Sequence, residues 1–298
     1  PGCRRAPELR VRLNGGVRID LHTHTLVSDG TDTPTQLVRK AAKAGLDVIG
    51  LTDHDTFDGL REAKLAAQDV GVEVLAGMEF STEKDGVSVH VVAYGCDPHD
   101  EELLNELARV RVGRSDRVPG MVARLTELGM PLTVDDVLAQ ASGTSLGRPH
   151  IADAMVARGY VASRDDAFRH WLHEGGPAYV DRYSTELTRA IELIRRARGV
   201  AVLAHPWGRG RRADLPESYL TELAYEHRLD GVEVDHPDHD EQTRAELRAV
   251  ASRLGLLTTG SSDHHGLGKT RNPLGAGLTP PEVYAEIVDR IRARGGRP

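Results

Sequence analysis

Short runs of β-branched residues alternate with helical hydrophobic periods along most of the chain. Runs in which Val, Ile and Leu alternate with polar positions predict β-strands. We predict strands over residues 17–21, 47–51, 72–80, 87–94, 199–204, 231–235 and 256–260. Helical patterns separate most of these strands, and such alternation is typical of a parallel sheet. Seven or eight repeats of this kind predict an α/β barrel.

Local signals mark the helices between the strands. Thr33 has the features of an N-cap with Pro34 at the first helical position, and Gly45 ends that helix. Thr56 is predicted to cap a second helix that ends at Gly71. Further helices are predicted over residues 185–198, 217–227, 241–254 and 280–294.

The alternation stops between residues 98 and 176, where the pattern is helical with almost no strand signal. Thr133 begins a capping sequence there, and residues 148–158 and 163–173 are predicted helices. We therefore expect a helical insertion, or lid domain, over 98–176 within a barrel domain formed by 17–97 and 177–298. Residues 1–16 carry four arginines and no apolar run, so we expect a poorly ordered leader rather than a secretory signal.

The composition is that of an ordinary globular protein, with 39% hydrophobic and 28% charged residues. A net charge of −7 argues against binding to extended duplex nucleic acid, which needs a basic face. The two cysteines, Cys3 and Cys96, form neither a disulfide framework nor a metal-type spacing. With no apolar run near the ~18 residues that span a bilayer, we expect a cytoplasmic protein without membrane contact.

Nine side chains of metal-binding type fall mostly at predicted strand ends. Imidazole and carboxylate groups are ligands of zinc, manganese and iron. His22 and His24 are two residues apart, so on an extended chain both point to the same side. The nine candidate ligands are His22, His24, Asp29, His54, Glu79, His90, His205, Asp263 and His265. All except His90 lie at or just past the carboxyl end of a strand, the face on which barrel enzymes carry their active sites.

Nine ligands suit two or three divalent ions, for which Mn²⁺, Fe²⁺ and Zn²⁺ are the candidates. Three such ions carry six positive charges against three carboxylates, a surplus of three; two ions leave a surplus of one. An anionic substrate such as a phosphate, with a hydroxide bridging the metals as nucleophile, would offset that charge. Glu79 is the candidate bridging carboxylate, because the other two lie near the two ends of the chain.

Basic residues are candidates for substrate contact. Arg148 and His150 lie at a predicted helix start, where guanidinium and backbone amide groups favour anions, although a solvent-facing arginine is an alternative interpretation. The loop residues Arg209, Arg211 and Arg212 follow His205 and are compatible with either a second phosphate site or a solvated loop.

Further acidic and imidazole groups lie near the candidate ligands in sequence. Asp53 and Asp55 flank His54, where they either orient ligand imidazoles or form the turn. His236 and His239 follow a predicted strand and are either contacts to the site or surface residues.

These motifs resemble those of the PHP (polymerase and histidinol phosphatase) family of metal-dependent phosphoesterases, from about residue 18 to 280. The resemblance rests on Asp20-Leu-His-Thr-His, Ser28-Asp-Gly, Thr52-Asp-His-Asp, Gly77-Met-Glu, His90, Ala204-His-Pro and Ser262-Asp-His-His-Gly. It implies a distorted (β/α)₇ barrel with a trinuclear metal site at the carboxyl ends of the strands. The family's ligand pattern carries over onto all nine positions.

Within the family, the Gly-Arg-Pro-His-Ile-Ala stretch at 147–152 is similar to the TrpH/YciV-like branch. That resemblance implies hydrolysis of nucleoside 3′,5′-bisphosphates, 5′-to-3′ trimming of short oligonucleotides, and phosphate contacts from Arg148 and His150, with His150 a candidate proton donor. His264 and Asp235 depart from the pattern, since relatives usually have an aromatic residue there.

Other functions remain compatible with the motifs. A histidinol-phosphate phosphatase uses similar metal ligands, and only a panel of substrates separates the two activities. A non-catalytic, metal-stabilised regulatory module would have lost ligands, whereas all nine are present here. A barrel amidohydrolase usually needs a bridging lysine, and no lysine lies at a predicted strand end.

Overall fold

The computed structural model describes residues 16–141 and 146–298. The predicted leader lies outside the described residues except for Gly16. The strands are β1 (Ile19–Thr23), β2 (Val48–Leu51), β3 (Glu73–Lys84), β4 (Val87–Tyr94), β5 (Thr185–Glu186), β6 (Val200–Leu203), β7 (Gly231–Asp235) and β8 (Leu257–Gly260). All seven predicted strands are therefore present, and the two-residue β5 was not predicted.

The strands form one sheet in the order β1-β2-β3-β4-β6-β7-β8, with β5 paired to β3. An isolated bridge between Thr23 and His264, and a 2.8 Å bond from the amide of His24 to the carbonyl of His264, bring the first and last strands together. The sheet is thus a nearly closed seven-strand barrel, in agreement with the predicted fold class.

The prediction of parallel pairing is wrong for β4, which runs antiparallel to both β3 and β6. The cause is the connection. Only Asp85 and Gly86 join β3 to β4, with φ of 51° and 78°, and a two-residue hairpin turn of this kind can join only antiparallel strands.

Helices surround the barrel at nearly the predicted positions. They are α1 (Pro34–Lys43), α2 (Leu60–Val70), α7 (Leu187–Arg196), α8 (Glu217–Tyr225), α9 (Glu241–Leu254) and α10 (Pro281–Ala293). Thr56 does not cap α2; its hydroxyl accepts from the amide of Asp58 in the preceding turn. The helix predicted from residue 185 begins at Leu187 instead, because Thr185 pairs with Thr82 in the sheet.

The segment between β4 and β5 is helical, as the sequence predicts. It contains α3 (Glu101–Glu127), α4 (Val134–Leu138), α5 (Arg148–Ala157), α6 (Arg164–Ala167) and a π-helical turn (Phe168–Leu172). Its apolar side chains form a core of their own around Met121, Ile151 and Met155. The first part of α3 instead packs Leu103 and Leu107 into the barrel core. One helix therefore takes part in both cores.

None of the helices within residues 16–141 and 146–298 is long and apolar enough to cross a membrane.

Candidate metal centre

His22 and His24 approach the same carboxylate at the end of β1. Both residues are fully buried. The Nε2 atoms of both rings lie 3.2 Å from Oε2 of Glu79. The two-residue spacing thus presents both imidazoles on one side of the chain, as strand geometry requires.

Glu79 is the centre of the cluster. Besides His22 and His24, its carboxylate meets Nδ1 of His54 at 3.1 Å, Nδ1 of His90 at 2.7 Å and Nε2 of His205 at 3.4 Å. The imidazoles divide between its two oxygens, with His90 and His205 on Oε1 and the other three on Oε2. A carboxylate shared in this way can bridge two cations.

The reversed direction of β4 explains the anomalous position of His90. Ser81, two residues beyond Glu79, pairs in register with His90, which is the fourth residue of its strand. Because β4 is antiparallel, its beginning lies beside the carboxyl ends of its neighbours. His90 therefore reaches the site from the early part of a strand. His22 and Glu79 lie within β1 and β3, and the remaining ligand candidates follow the ends of strands.

Asp29 organises a second group of side chains. Its carboxylate lies 3.2 Å from Nε2 of His265, 3.7 Å from Nε2 of His54 and 3.9 Å from Nδ1 of His24. One donor atom from each of these four residues fits within 4.8 Å of all the others. The group has the size and donor set of a metal site.

Asp263 joins the two groups. Its Oδ1 lies 3.7 Å from Nε2 of His22, 3.4 Å from Nε2 of His24 and 3.4 Å from Nδ1 of His265. Asp263 and His205 both have positive φ, 52° and 30°. Such backbone strain in non-glycine residues is concentrated at functional sites. The structure thus brings all nine predicted ligands into one continuous cluster.

Several polar atoms at the centre are buried and make no hydrogen bond of normal geometry to any described residue, although some of them lie close to other ligand candidates. They are Nδ1 of His24, Nδ1 of His54, Oε1 of Glu79, Oδ1 of Asp263 and Nε2 of His236. Buried polar atoms are normally paired, and each unpaired one calls for an explanation such as an ion. Bound divalent cations would satisfy these donors, so the residues present fit a multinuclear metal site.

The acid–base state of the site also suits cations. Burial lowers the pKa of His54 well below its usual range, and lowers the pKa of His205 and of His265 to about 4. These imidazoles are therefore neutral at pH 7, as metal ligation requires. Despite burial, the surrounding imidazoles hold the pKa of Glu79 and of Asp29 well below the ordinary carboxyl range, so both are ionised.

Glu233 and His236 belong to the site although Glu233 was not predicted. The Oε1 atom of Glu233 lies 3.1 Å from Nδ1 of His22 and also accepts from the hydroxyl of Ser261. His236 lies 3.4 Å from Asp263 through Nε2, and His205, Glu233 and His236 form a further metal-type group. The available signal was an acidic residue in the middle of the apolar strand Gly231–Asp235, where a charge is buried only with partners.

The aspartates beside His54 fix loops rather than imidazoles. Asp53 accepts from the amide and hydroxyl of Thr25, at 2.7 and 2.6 Å, and from the hydroxyl of Ser28 at 2.7 Å. Asp55 accepts from the amide of Ser81 at 2.7 Å. These contacts favour the turn-forming interpretation and hold the loop that carries Asp29 against the barrel.

The helical insertion contacts the loop that carries Asp29. Arg164 forms a two-pronged ion pair with Asp153, and its Nη1 donates to the carbonyl of Asp29 at 2.9 Å. His150 is buried, and its Nδ1 accepts from the amide of Gly147 at 3.1 Å. Arg148 donates to the carbonyl of Leu172 at 3.2 Å, and neither it nor His150 has a direct bond to the nine ligands among the described contacts.

The basic loop after His205 is internally paired. Arg209 binds Asp238 at 2.8 Å, Arg211 lies 3.6 Å from Glu174, and Arg212 stacks on Trp207. The solvated-loop interpretation is closer to these contacts than a dedicated phosphate site.

Three further residues near the site, His239, His264 and Asp235, also have hydrogen-bond or ion-pair partners nearby. Nδ1 of His239 lies 2.9 Å from the carbonyl of Val234. Of the two departures from the family pattern, His264 contacts the carbonyl of Asn272 at 2.9 Å, and Asp235 pairs with Arg248.

Comparison with known proteins agrees with this geometry. The family model described as PHP domain matches residues 20–134. A 3′,5′-nucleoside bisphosphate phosphatase of Chromobacterium violaceum is 32% identical over 284 residues, which cover 94% of this chain and 98% of that protein. The chain belongs to the PHP family.

Two further comparisons extend over most of the chain. A 5′-3′ exoribonuclease of Haemophilus influenzae is 32% identical over 251 residues, 83% of this chain and 90% of that protein. A crystal structure from Bifidobacterium adolescentis, described as a metal-dependent phosphoesterase, has a TM-score of 0.86 at 39% identity and covers 91% of this chain and 96% of its own. The match therefore includes the insertion as well as the barrel.

Proposed function

We propose that this PHP-family chain is a metal-dependent hydrolase of nucleotide phosphate esters. Its substrates are nucleoside 3′,5′-bisphosphates, the 5′ ends of short oligonucleotides, or both. The observation that carries the proposal is the convergence of nine imidazole and carboxylate side chains around Glu79, where several buried polar atoms make no hydrogen bond of normal geometry to a described residue. The full-length relatives support it, because they are named as a bisphosphate phosphatase and a 5′-3′ exoribonuclease.

The nine side chains, with Glu79 as the bridge, are our proposed ligands for two or three ions of Mn²⁺, Fe²⁺ or Zn²⁺. Such ions, when bound, supply an acidified water and polarise a phosphoryl group. Glu233 supports the site by orienting the ring of His22 through Nδ1, so that Nε2 faces Glu79.

We propose that the helical segment 98–176 is a lid domain over the barrel, and that its Arg148 and His150 contact the substrate. Arg164 supports this assignment, because it ties α6 to the carbonyl of Asp29 in the ligand loop. Within residues 16–141 and 146–298, the carboxylate that pairs with Arg148 is that of Glu174, at 3.9 Å. Its guanidinium therefore retains the capacity to bind a phosphate group.

His150 is our candidate proton donor to the leaving oxygen. Burial lowers its pKa, so the ring is neutral at pH 7. Because Nδ1 accepts from the amide of Gly147, the proton of the neutral ring lies on Nε2. In this form Nε2 can donate a hydrogen bond to the leaving oxygen, whereas transfer of a proton needs the protonated ring, which burial disfavours.

The test is phosphate release after loading with Mn²⁺, from a nucleoside 3′,5′-bisphosphate, a 5′-phosphorylated trinucleotide and histidinol phosphate. We expect turnover of the first two substrates and little of the third. His54→Ala should lower kcat/KM at least about 100-fold with loss of bound metal, since His54 touches both Glu79 and Asp29.

The matched control is His227→Ala, which removes a histidine that pairs with Glu222 on the outer helix α8. It should leave activity and metal content unchanged. Full activity and unchanged metal content in His54→Ala would sink the proposal. Preference for histidinol phosphate would favour that phosphatase activity, and metal binding without turnover of any substrate would favour a regulatory module. The cytoplasmic location stays a prediction.

A further inference from the structure

Four arginines meet beneath the lid, outside the nine-ligand cluster. Arg114 and Arg117 lie three residues apart on α3, so their side chains project from one face of that helix. Arg148 begins α5, and Arg182 lies in the segment that returns to the barrel. Arg114 and Arg117 are buried, with 7% and 6% of their surfaces exposed. Arginines are rarely buried to this degree without a partner.

The cluster has too few anionic partners. Arg114 pairs with Asp55 at 3.0 Å, and Arg148 faces Glu174 at 3.9 Å. The Nε atom of Arg117 has no hydrogen-bond partner among the described residues. In the part of the chain that the structure describes, these four guanidinium groups therefore have two carboxylates as ion-pair partners.

Mutual repulsion within the cluster has a clear electrostatic effect. Burial, followed by the charges of Arg148, Arg182 and Arg114, lowers the pKa of Arg117 to about 8. Burial and the charges of Arg114 and Arg148 lower the pKa of Arg182 to about 10, although Asp55 opposes the shift. A bound anion would relieve this repulsion, and a planar guanidinium group suits phosphate oxygens in particular.

The arginine cluster adjoins the metal centre through Arg114. Its partners are Asp55, which follows His54 directly, and the hydroxyl of Ser81, which lies two residues beyond Glu79. Ser81 also pairs in register with His90. The arginines therefore lie beside the His54–Glu79–His90 edge of the site, within reach of the far end of a substrate held there.

We propose that Arg117 and Arg182, flanked by Arg114 and Arg148, form a pocket for the second, unreacted phosphate of the substrate. The pocket rests on the proposed function and deepens it: the preferred substrates carry two phosphate groups, one at the metal-type ligands and one at the arginines. In the basic loop at residues 208–213, Arg209 and Arg212 pair with Asp238 and Glu246 and lie outside this pocket. Arg211 of that loop shares Glu174 with Arg148 and lies at the pocket's edge.

The experiment compares a nucleoside 3′,5′-bisphosphate with the 3′- and 5′-monophosphates of the same nucleoside, using the Mn²⁺-loaded full chain. Arg117→Gln and Arg182→Gln should each lower kcat/KM for the bisphosphate about 10- to 100-fold, mainly through KM, because each removes a charge-assisted contact. Activity on the monophosphate that carries the reacting ester should stay within about twofold. The preference for two phosphates should therefore shrink.

The matched control is Arg158→Gln, which removes an exposed arginine of the same insertion that pairs with Asp136. It should change neither substrate's kinetics. Arg117→Lys, which keeps the charge, should recover part of the lost preference. If burial of residue 117 makes the glutamine variant unstable, the less buried Arg182 gives the same test.

The pocket proposal is wrong if Arg117→Gln and Arg182→Gln lower kcat/KM equally for the bisphosphate and the monophosphate, or lower it for neither. Inorganic phosphate supplies a further arm. If it raises the rate on the monophosphate in the wild type but not in Arg182→Gln, phosphate fills the place that the monophosphate leaves empty, which supports the pocket. If it raises the rate equally in both proteins, phosphate acts elsewhere, which counts against the pocket.

Equilibrium binding of the bisphosphate separates this inference from the proposed function. If the wild type binds the bisphosphate more tightly than Arg182→Gln does but hydrolyses none of the substrates, the pocket stands and the phosphoesterase proposal fails. If the wild type hydrolyses the bisphosphate and Arg182→Gln does so with the same KM, the pocket fails and the phosphoesterase proposal stands.

Discussion

Glu233 offers a sharp test of how the barrel supports its ligands. In Glu233→Gln the side chain keeps its size but loses its charge and one acceptor oxygen. In the wild type, three donors share the two carboxylate oxygens of Glu233: Nδ1 of His22 at 3.1 Å, the hydroxyl of Ser261, and the amide of His205 at 3.0 Å. An amide group has one acceptor oxygen, so at least one of these groups loses its partner.

The magnitude follows from the contact with His22. Loss of a carboxylate that holds a ligand imidazole typically lowers metal affinity about 10- to 100-fold, which corresponds to about 1.4 to 2.8 kcal/mol. A second effect of the substitution favours metal binding at low pH, through the pKa of His22. Glu79 and Glu233 together raise the pKa of His22 against the effect of burial. Removing one carboxylate lowers that pKa, so protons compete less with the metal.

The assay is the apparent Kd for Mn²⁺, measured by competition with a chromophoric chelator at several pH values. We expect weaker binding in Glu233→Gln near pH 8 and a shallower dependence of log Kd on pH. The matched control is Asp235→Asn on the same strand, whose carboxylate pairs with Arg248. Its affinity should stay within about twofold of the wild type.

Two outcomes would refute this reasoning. Unchanged Mn²⁺ affinity and pH dependence in Glu233→Gln would mean that Glu233 does not orient His22. Equal losses in Glu233→Gln and Asp235→Asn would point to general damage to β7. A loss greater than about a thousandfold would instead indicate direct coordination by Glu233, which forms a metal-type group with His205 and His236.

Three further predictions use other parts of the chain. Despite burial, contacts with Asp263 and Glu79 raise the pKa of His24 to about 9, so metal binding at pH 7 should release the proton of His24 and should strengthen as the pH rises towards 9. Calorimetry in buffers of different ionisation enthalpy measures the proton release, and a binding heat that is the same in every buffer would contradict it. Ile151→Ala should cost about 2 to 5 kcal/mol of unfolding free energy, because Ile151 is fully buried in the insertion core; urea unfolding that matches the wild type would disprove the packing. Burial raises the pKa of Cys96 to about 12. In a Cys3→Ser variant, where Cys96 is the remaining thiol, that thiol should not react with a thiol reagent at pH 8 until the protein is unfolded. Rapid labelling of the native protein would argue against the burial of Cys96.

The sequence predicted the strands because their hydrophobic patterns are local, and it predicted that the nine candidate ligands would converge because barrel topology gathers strand ends. It did not predict the direction of β4, since apolar alternation is the same in either direction. The Asp85-Gly86 turn carried that information. His90 appeared to be an exception among the ligands for the same reason.

Other parts of the site depend on contacts between distant segments. Glu233 meets His22 across 211 positions of sequence, and neither residue's neighbours indicate that pairing. Arg114 and Arg117 occupy a helix whose pattern suggests solvent exposure for charged residues. Only the packing of α3 against the return segment, where Gly113 closely approaches Tyr183, makes them buried.

The shared helix α3 gives the two halves of the proposed site a common frame. Its 27 residues extend about 40 Å by helical rise. Its early turns are anchored in the barrel core and its late turns in the insertion core, with Arg114 and Arg117 between the two anchors. The backbone therefore sets the distance from these guanidinium groups to the candidate metal ligands on the strands, and a bound substrate does not. A molecule whose charges are spaced too closely or too widely can satisfy one location only. The proposed site can then discriminate between substrates by the length of the linkage between their two phosphate groups, without recognising the base.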